Sequence, residues 1–142
     1  YGAGNKKELH NLKRRSLILL SCAAIVLTSA AILMSGWIAR IFTGYDEALC
    51  KMSERAFALY SVGFLGSWFN VFASSFFTAL NDGKTSGIIS FSRMFGFQLI
   101  AVLLLPLILG LDGVWLAMPA AELCSAIVSA TFLIRNKKVY GY

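Results

Sequence analysis

Four long apolar stretches, parted by short polar ones, dominate the chain. A membrane-crossing helix needs about 20 predominantly apolar residues, because ~30 Å of hydrocarbon is covered at ~1.5 Å per residue. Residues 16–39 and 56–80 carry no charged side chain. Residues 88–109 are interrupted only by Arg93, and 113–134 only by Glu122. Each run is too long for a signal-peptide core and lacks the charged face of a surface or soluble-bundle helix. The pattern predicts an all-α, polytopic membrane protein with four transmembrane helices. Asn81-Asp82-Gly83 is a strong turn signal between the second and third spans. Gly110-Leu111-Asp112-Gly113 is a tight link that makes spans three and four antiparallel neighbours. Thr43 to Glu54 is the longest link, with room for a short interfacial helix.

Composition agrees with the pattern. The 142 residues are 58% hydrophobic and only 14% charged, with mean hydropathy +0.71. Soluble domains carry about 45–50% apolar and 25% charged residues, so the solvent this chain is built for is a bilayer. The basic residues also sort by side. Lys6, Lys7, Lys13, Arg14, Arg15, Lys84, Arg93, Arg135, Lys137 and Lys138 fall on one side of the four spans. Arg40, Lys51 and Arg55 fall on the other, offset by Asp46, Glu47 and Glu54. Basic residues accumulate on the cytoplasmic side, so both ends of the chain are expected there. The net charge of +6 then reads as topology and attraction to anionic headgroups, not as a nucleic-acid surface.

Cys22, Cys50 and Cys124 show no C-x-x-C or C-x-x-H spacing, and His10 is the only histidine, so no metal site is expected. No phosphate loop, G-x-S-x-G, H-E-x-x-H or close carboxylate pair occurs, and the chain does not read as an enzyme. The first residue is Tyr1, not methionine, and no signal peptide precedes the first span. These features predict the C-terminal part of a longer protein.

The chemistry lies in polar residues inside the apolar runs. In the first span, Ser21, Ala24, Thr28, Ala31 and Ser35 form a small-residue stripe suited to close helix packing. In the second span, Gly63, Ser67, Asn70, Ser74 and Thr78 form another. Asn70 sits near mid-membrane, where an amide needs partners on neighbouring helices or a wet cavity. The stripe therefore reads either as helix–helix hydrogen bonding or as cavity lining. Glu122 is tenth in its span, about 15 Å deep. An ionised residue there costs at least ~2.5–3.5 kcal/mol, so it should face protein or water. Ser125 and Ser129 share its face, and Pro119 can free a carbonyl nearby. Glu122 is either a proton- or cation-binding carboxylate or a buried structural carboxyl, protonated or paired with Arg93. Arg93 is expected as a membrane-interface anchor, because the 18 residues after it are uncharged and it can snorkel.

The segment order resembles the end of a multidrug and toxic compound extrusion (MATE) transporter. The matching pieces are Tyr1 to Asn5 (Tyr-Gly-Ala-Gly-Asn), Arg40 to Thr43, and Phe76 to Thr85 around Asn81-Asp82-Gly83. Gly110 to Ala117 and Pro119 to Leu123 complete the set. The resemblance implies a twelve-helix transporter of two six-helix lobes, of which this chain supplies the last four helices. It implies secondary-active efflux of cationic, amphipathic small molecules by sodium- or proton-coupled antiport, in the cell membrane. No cofactor is implied beyond the coupling sodium ion or proton. The partners implied are the lipid bilayer and the N-terminal lobe and preceding helices of the same protein. Some members couple ions through an acidic residue on the helix matching 56–80; this chain has none there and carries Asn70 instead. A non-transporting membrane scaffold subunit and a lipid or oligosaccharide flippase of related fold are the rival readings.

Overall fold

A computed structural model describes residues 6–141; the Tyr1 to Asn5 segment lies outside the described residues. The helices are α1 (Lys6–Thr43), α2 (Glu47–Ser61), α3 (Phe64–Ala79) and α4 (Gly83–Phe91). A π-helical segment (Ser92–Gln98) follows, then α5 (Leu99–Leu109) and α6 (Leu111–Tyr140). They assemble into four rods long and apolar enough to cross a membrane: Lys6–Thr43, Glu47–Ala79, Gly83–Leu109 and Leu111–Tyr140. The chain is an all-α, polytopic membrane protein.

Its burial pattern is the one lipid demands. Leu19, Leu33, Trp37, Leu107 and Ile108 point outward, whereas Ala73, Ala117, Asn70, Ser125 and Ser129 are buried. In hydrocarbon an outward leucine loses nothing, while small side chains let backbones meet and polar ones need protein partners. One apolar cluster ties the ends of the chain together: Leu9 of α1 packs with Phe72, Phe76, Phe77 and Ile89, and Tyr140 of α6 lies against it.

The helices begin earlier than the uncharged runs. α1 extends ten residues before Ser16, through the basic segment. The expected long link after Thr43 shrinks to residues 44–46. Asp46 accepts hydrogen bonds from the backbone N–H groups of Ala48 and Leu49, at 2.9 and 3.1 Å, and so starts α2 at once. Glu47 to Arg55 is thus the first part of the second rod, not a separate interfacial helix. That rod tightens but does not break at Val62-Gly63, where Gly63 N–H bonds Tyr60 and Gly66 N–H bonds Gly63 itself. The link between α5 and α6 is Gly110 alone, at φ 60° and ψ −137°, a conformation closed to side chains with a Cβ. Arg55 pairs with Asp112 across α2 and α6, but the pair is exposed and contributes little.

At the opposite end, Asp82 holds two elements at once. It caps α4 through the Thr85 N–H at 3.0 Å and accepts a hydrogen bond from the Tyr140 hydroxyl at 2.9 Å. The Thr85 contacts chiefly, then Tyr140 and Lys84, hold its carboxyl below the usual range. A depressed carboxyl contributes above its ordinary value near ~3.9 and stops contributing as pH falls through its lower native one. Amide-exchange protection at the α6 tail, the intrinsic rate at each pH divided by the observed rate, should therefore be unchanged from pH 8 to 5 and fall below about pH 4. Asp82→Asn should show the lower protection already at pH 7; equal protection in both proteins would contradict this anchoring.

Candidate functional site

The only residue of α3 with a mid-membrane amide, Asn70, is sealed against α6. Gly66, one turn earlier, makes the approach possible. A Cβ at Gly66 would stand 2.9 Å from Glu122 Cβ and 3.3 Å from its backbone carbon, so the helices touch there without side chains between them. The Asn70 amide then donates to the Glu122 carbonyl at 2.9 Å and to its carboxylate Oε2 at 2.7 Å. Two turns along α6, the Ser129 hydroxyl donates to Asn70 Oδ1 at 2.8 Å. Asn70, Glu122 and Ser129 are 1%, 3% and 0% exposed, so this cluster is shut from lipid and water alike.

The π-helical segment supplies the fourth member. Arg93 Nη1 donates to Glu122 Oε1 at 3.4 Å, a long contact whose arginine side chain remains 23% exposed against 4% for the glutamate. Single π turns inside α-helices often mark functional positions, because the wider turn re-aims side chains that α-helical spacing would place elsewhere. Arg93, in this segment, reaches Glu122, the pairing that the sequence offered as one option for a buried structural carboxyl. Ser125, between Glu122 and Ser129 on α6, is buried with a hydroxyl that has no hydrogen-bond partner.

The second-span stripe is distributed among three neighbours. Gly63 faces α6, with the Met118 sulfur where its Cβ would be. Ser67 bonds the Gly63 carbonyl of its own helix at 2.8 Å and borders a cavity of about 440 Å³ between α1 and α3. Leu20, Leu27, Phe64, Trp68 and Phe72 make that cavity predominantly apolar. Gly63, Asn70 and Ser74 do not line it. Ser74 turns to α4, where its hydroxyl meets those of Ser86 and Ser90 at 2.9 and 2.8 Å, and Thr78 meets Ser86 at 2.8 Å. That hydroxyl clasp sets the α3–α4 hairpin, which carries the π segment and Arg93. Gly66 was the residue missed from sequence; its signal was a glycine one helical turn before a mid-membrane asparagine.

The arrangement can exchange the partner of one carboxylate. Asn70 and Ser129 form a neutral hydrogen-bonded floor, and Glu122 Oε1 faces the partly exposed guanidinium of Arg93 at 3.4 Å. A proton or a small cation could take the place of the guanidinium. Among the described residues no group of three or more His, Cys, Asp or Glu side chains gathers as a metal site.

Four membrane-capable rods around a buried carboxyl–amide cluster define a multi-pass α-helical membrane protein. The MatE family model matches residues 1–104, most of the chain. The chain belongs to the MatE family, whose members are membrane efflux transporters and not enzymes. The match takes in Asn70 and Arg93 and ends within α5, so Glu122 and Ser129 lie beyond it. No curated protein and no solved structure matches the chain.

Proposed function

We propose that the chain serves in secondary-active efflux of cationic, amphipathic compounds, driven by entry of a sodium ion or proton. In this reading it supplies the last four helices of a two-lobed transporter in the cell membrane, with both its ends cytoplasmic. The observation that carries the proposal is the buried Glu122, held by Asn70 and reached at long range by Arg93. A carboxylate kept out of lipid by an amide and a guanidinium sits in one of two electrostatic states. With Arg93 in place, α6 and the π segment are drawn together. When a coupling ion or proton neutralises Glu122, that attraction ends and the two elements can separate. Differential binding of the ion to the two arrangements is what biases inward- against outward-facing states. Ser67 and the apolar cavity beside it, with its aromatic rings, suit the hydrophobic part of such a substrate.

The test is efflux of a fluorescent cation by the full-length protein at varied sodium and pH. Glu122→Gln should lower coupled efflux at least about tenfold, the loss expected when roughly 1.4 kcal/mol of ion coupling is removed. It should also flatten the dependence on the driving ion. Asn70→Ala should shift the same dependence while retaining part of the efflux. If both variants keep the wild-type ion dependence, the assignment of this cluster is wrong.

A further inference from the structure

The first two turns of α1 and the last turn of α6, from opposite ends of the chain, meet in one basic hollow. Lys6, Lys7 and His10 of α1 and Lys137 and Lys138 of α6 line a cavity of about 670 Å³, and among the described residues no carboxylate side chain lines it. Glu8, the acidic residue of that first turn, does not line it. The hollow is held in shape from below. Leu9 is buried in the apolar cluster that Tyr140 also joins, the Phe77 and Tyr140 rings meet edge to face, and Tyr140 bonds Asp82. At the rim, the Lys6 side chain lies against Gly141, whose left-handed conformation (φ 72°) ends α6. Four ammonium groups are thus gathered on a braced scaffold, although mutual repulsion opposes the gathering.

Height fixes what could relieve that repulsion. The uncharged run of α6 ends at Ile134, so Lys137 stands about 5 Å beyond it at ~1.5 Å per residue. That of α1 begins at Ser16, which puts Lys7 about 14 Å beyond. The polar zone of one leaflet is about 5–8 Å thick, so the hollow starts among headgroups and opens outward. We propose that it binds an anionic phospholipid, with the lipid phosphate at Lys137 and Lys138, while Lys6 and Lys7, further out, add to the positive field that draws it in. Basic pockets between membrane helices on the side where positive charge collects suit such headgroups, each lysine contributing roughly a fivefold gain in affinity. The lipid would also join the two ends of the bundle.

The full-length protein is purified and offered equal amounts of phosphatidylglycerol and phosphatidylcholine, and the retained lipid is read by native mass spectrometry. Wild type should keep phosphatidylglycerol preferentially, and Lys137→Gln with Lys138→Gln should reduce that preference by about 25-fold, two such fivefold steps. Arg40→Gln with Lys51→Gln, on the opposite face, removes the same charge and should leave the preference intact. An equal fall in both double variants would mean a general charge effect and overturn the site. Thermal unfolding in phosphatidylcholine with 10 mM glycerol phosphate separates the sources. Stabilisation by the soluble anion equal to that by phosphatidylglycerol would overturn the lipid in favour of a free phosphate compound.

Discussion

Gly113→Ala is expected to destabilise the protein by about 3 kcal/mol, the upper end of what overpacking costs. The added Cβ would stand 2.2 Å from the Leu105 carbonyl oxygen and 2.8 Å from the Pro106 nitrogen. Both are backbone atoms, so no rotamer change relieves the clash. α6 must tilt away from α5, against a link of a single residue, Gly110. The shift would travel to the site, because this hairpin carries both the π segment with Arg93 and α6 with Glu122. Gly83→Ala is the matched control, since a Cβ there meets nothing within 4 Å. Denaturant titration of the purified protein should show a large loss for the first variant and almost none for the second. Equal stability of Gly113→Ala and wild type would show that the α5–α6 contact is looser than described.

Asn70→Leu comes next, with an expected loss of about 2 kcal/mol and of efflux as well. Leucine fills similar volume but makes none of the three hydrogen bonds to the Glu122 carbonyl, the Glu122 carboxylate and Ser129. Interhelical hydrogen bonds in membranes average about 0.6 kcal/mol each and reach about 1.7, which brackets the sum. The carboxylate then keeps only the long contact to Arg93, and leaving a buried acceptor unmade costs more than a broken bond between exposed groups. Glu122→Gln combined with Asn70→Leu separates the terms. If the carboxylate is what suffers, the double variant should be more stable than Asn70→Leu alone. A double variant no better than the sum of the two single losses would show that the amide acts through packing instead.

Much of this protein was legible in its linear pattern. The number of membrane rods, their all-α character, the Asn81 to Gly83 turn and a tight link within Gly110 to Gly113 follow from where apolar runs stop; the structure narrows that link to Gly110 alone. A bilayer imposes that legibility, because each span must satisfy its own backbone and present an apolar surface along ~30 Å. Helix limits were less legible. Charge marks where a helix leaves hydrocarbon, not where it ends, so α1 runs through its basic start and α2 begins at the Asp46 cap.

By itself, then, the sequence determined that the chain spans a membrane four times and that Asn70 and Glu122 needed protein partners at depth. Only the tertiary structure decided which partners those are. Periodicity lists the residues sharing a face of one helix, but the neighbour each meets depends on how closely two backbones approach. At Gly66 that approach brings Asn70 to Glu122 and Ser129, while one turn on the same stripe sends Ser74 to α4 instead. The same holds for Arg93, which lies in the π segment and meets Glu122 Oε1 at 3.4 Å, a pairing that spacing along one helix does not fix.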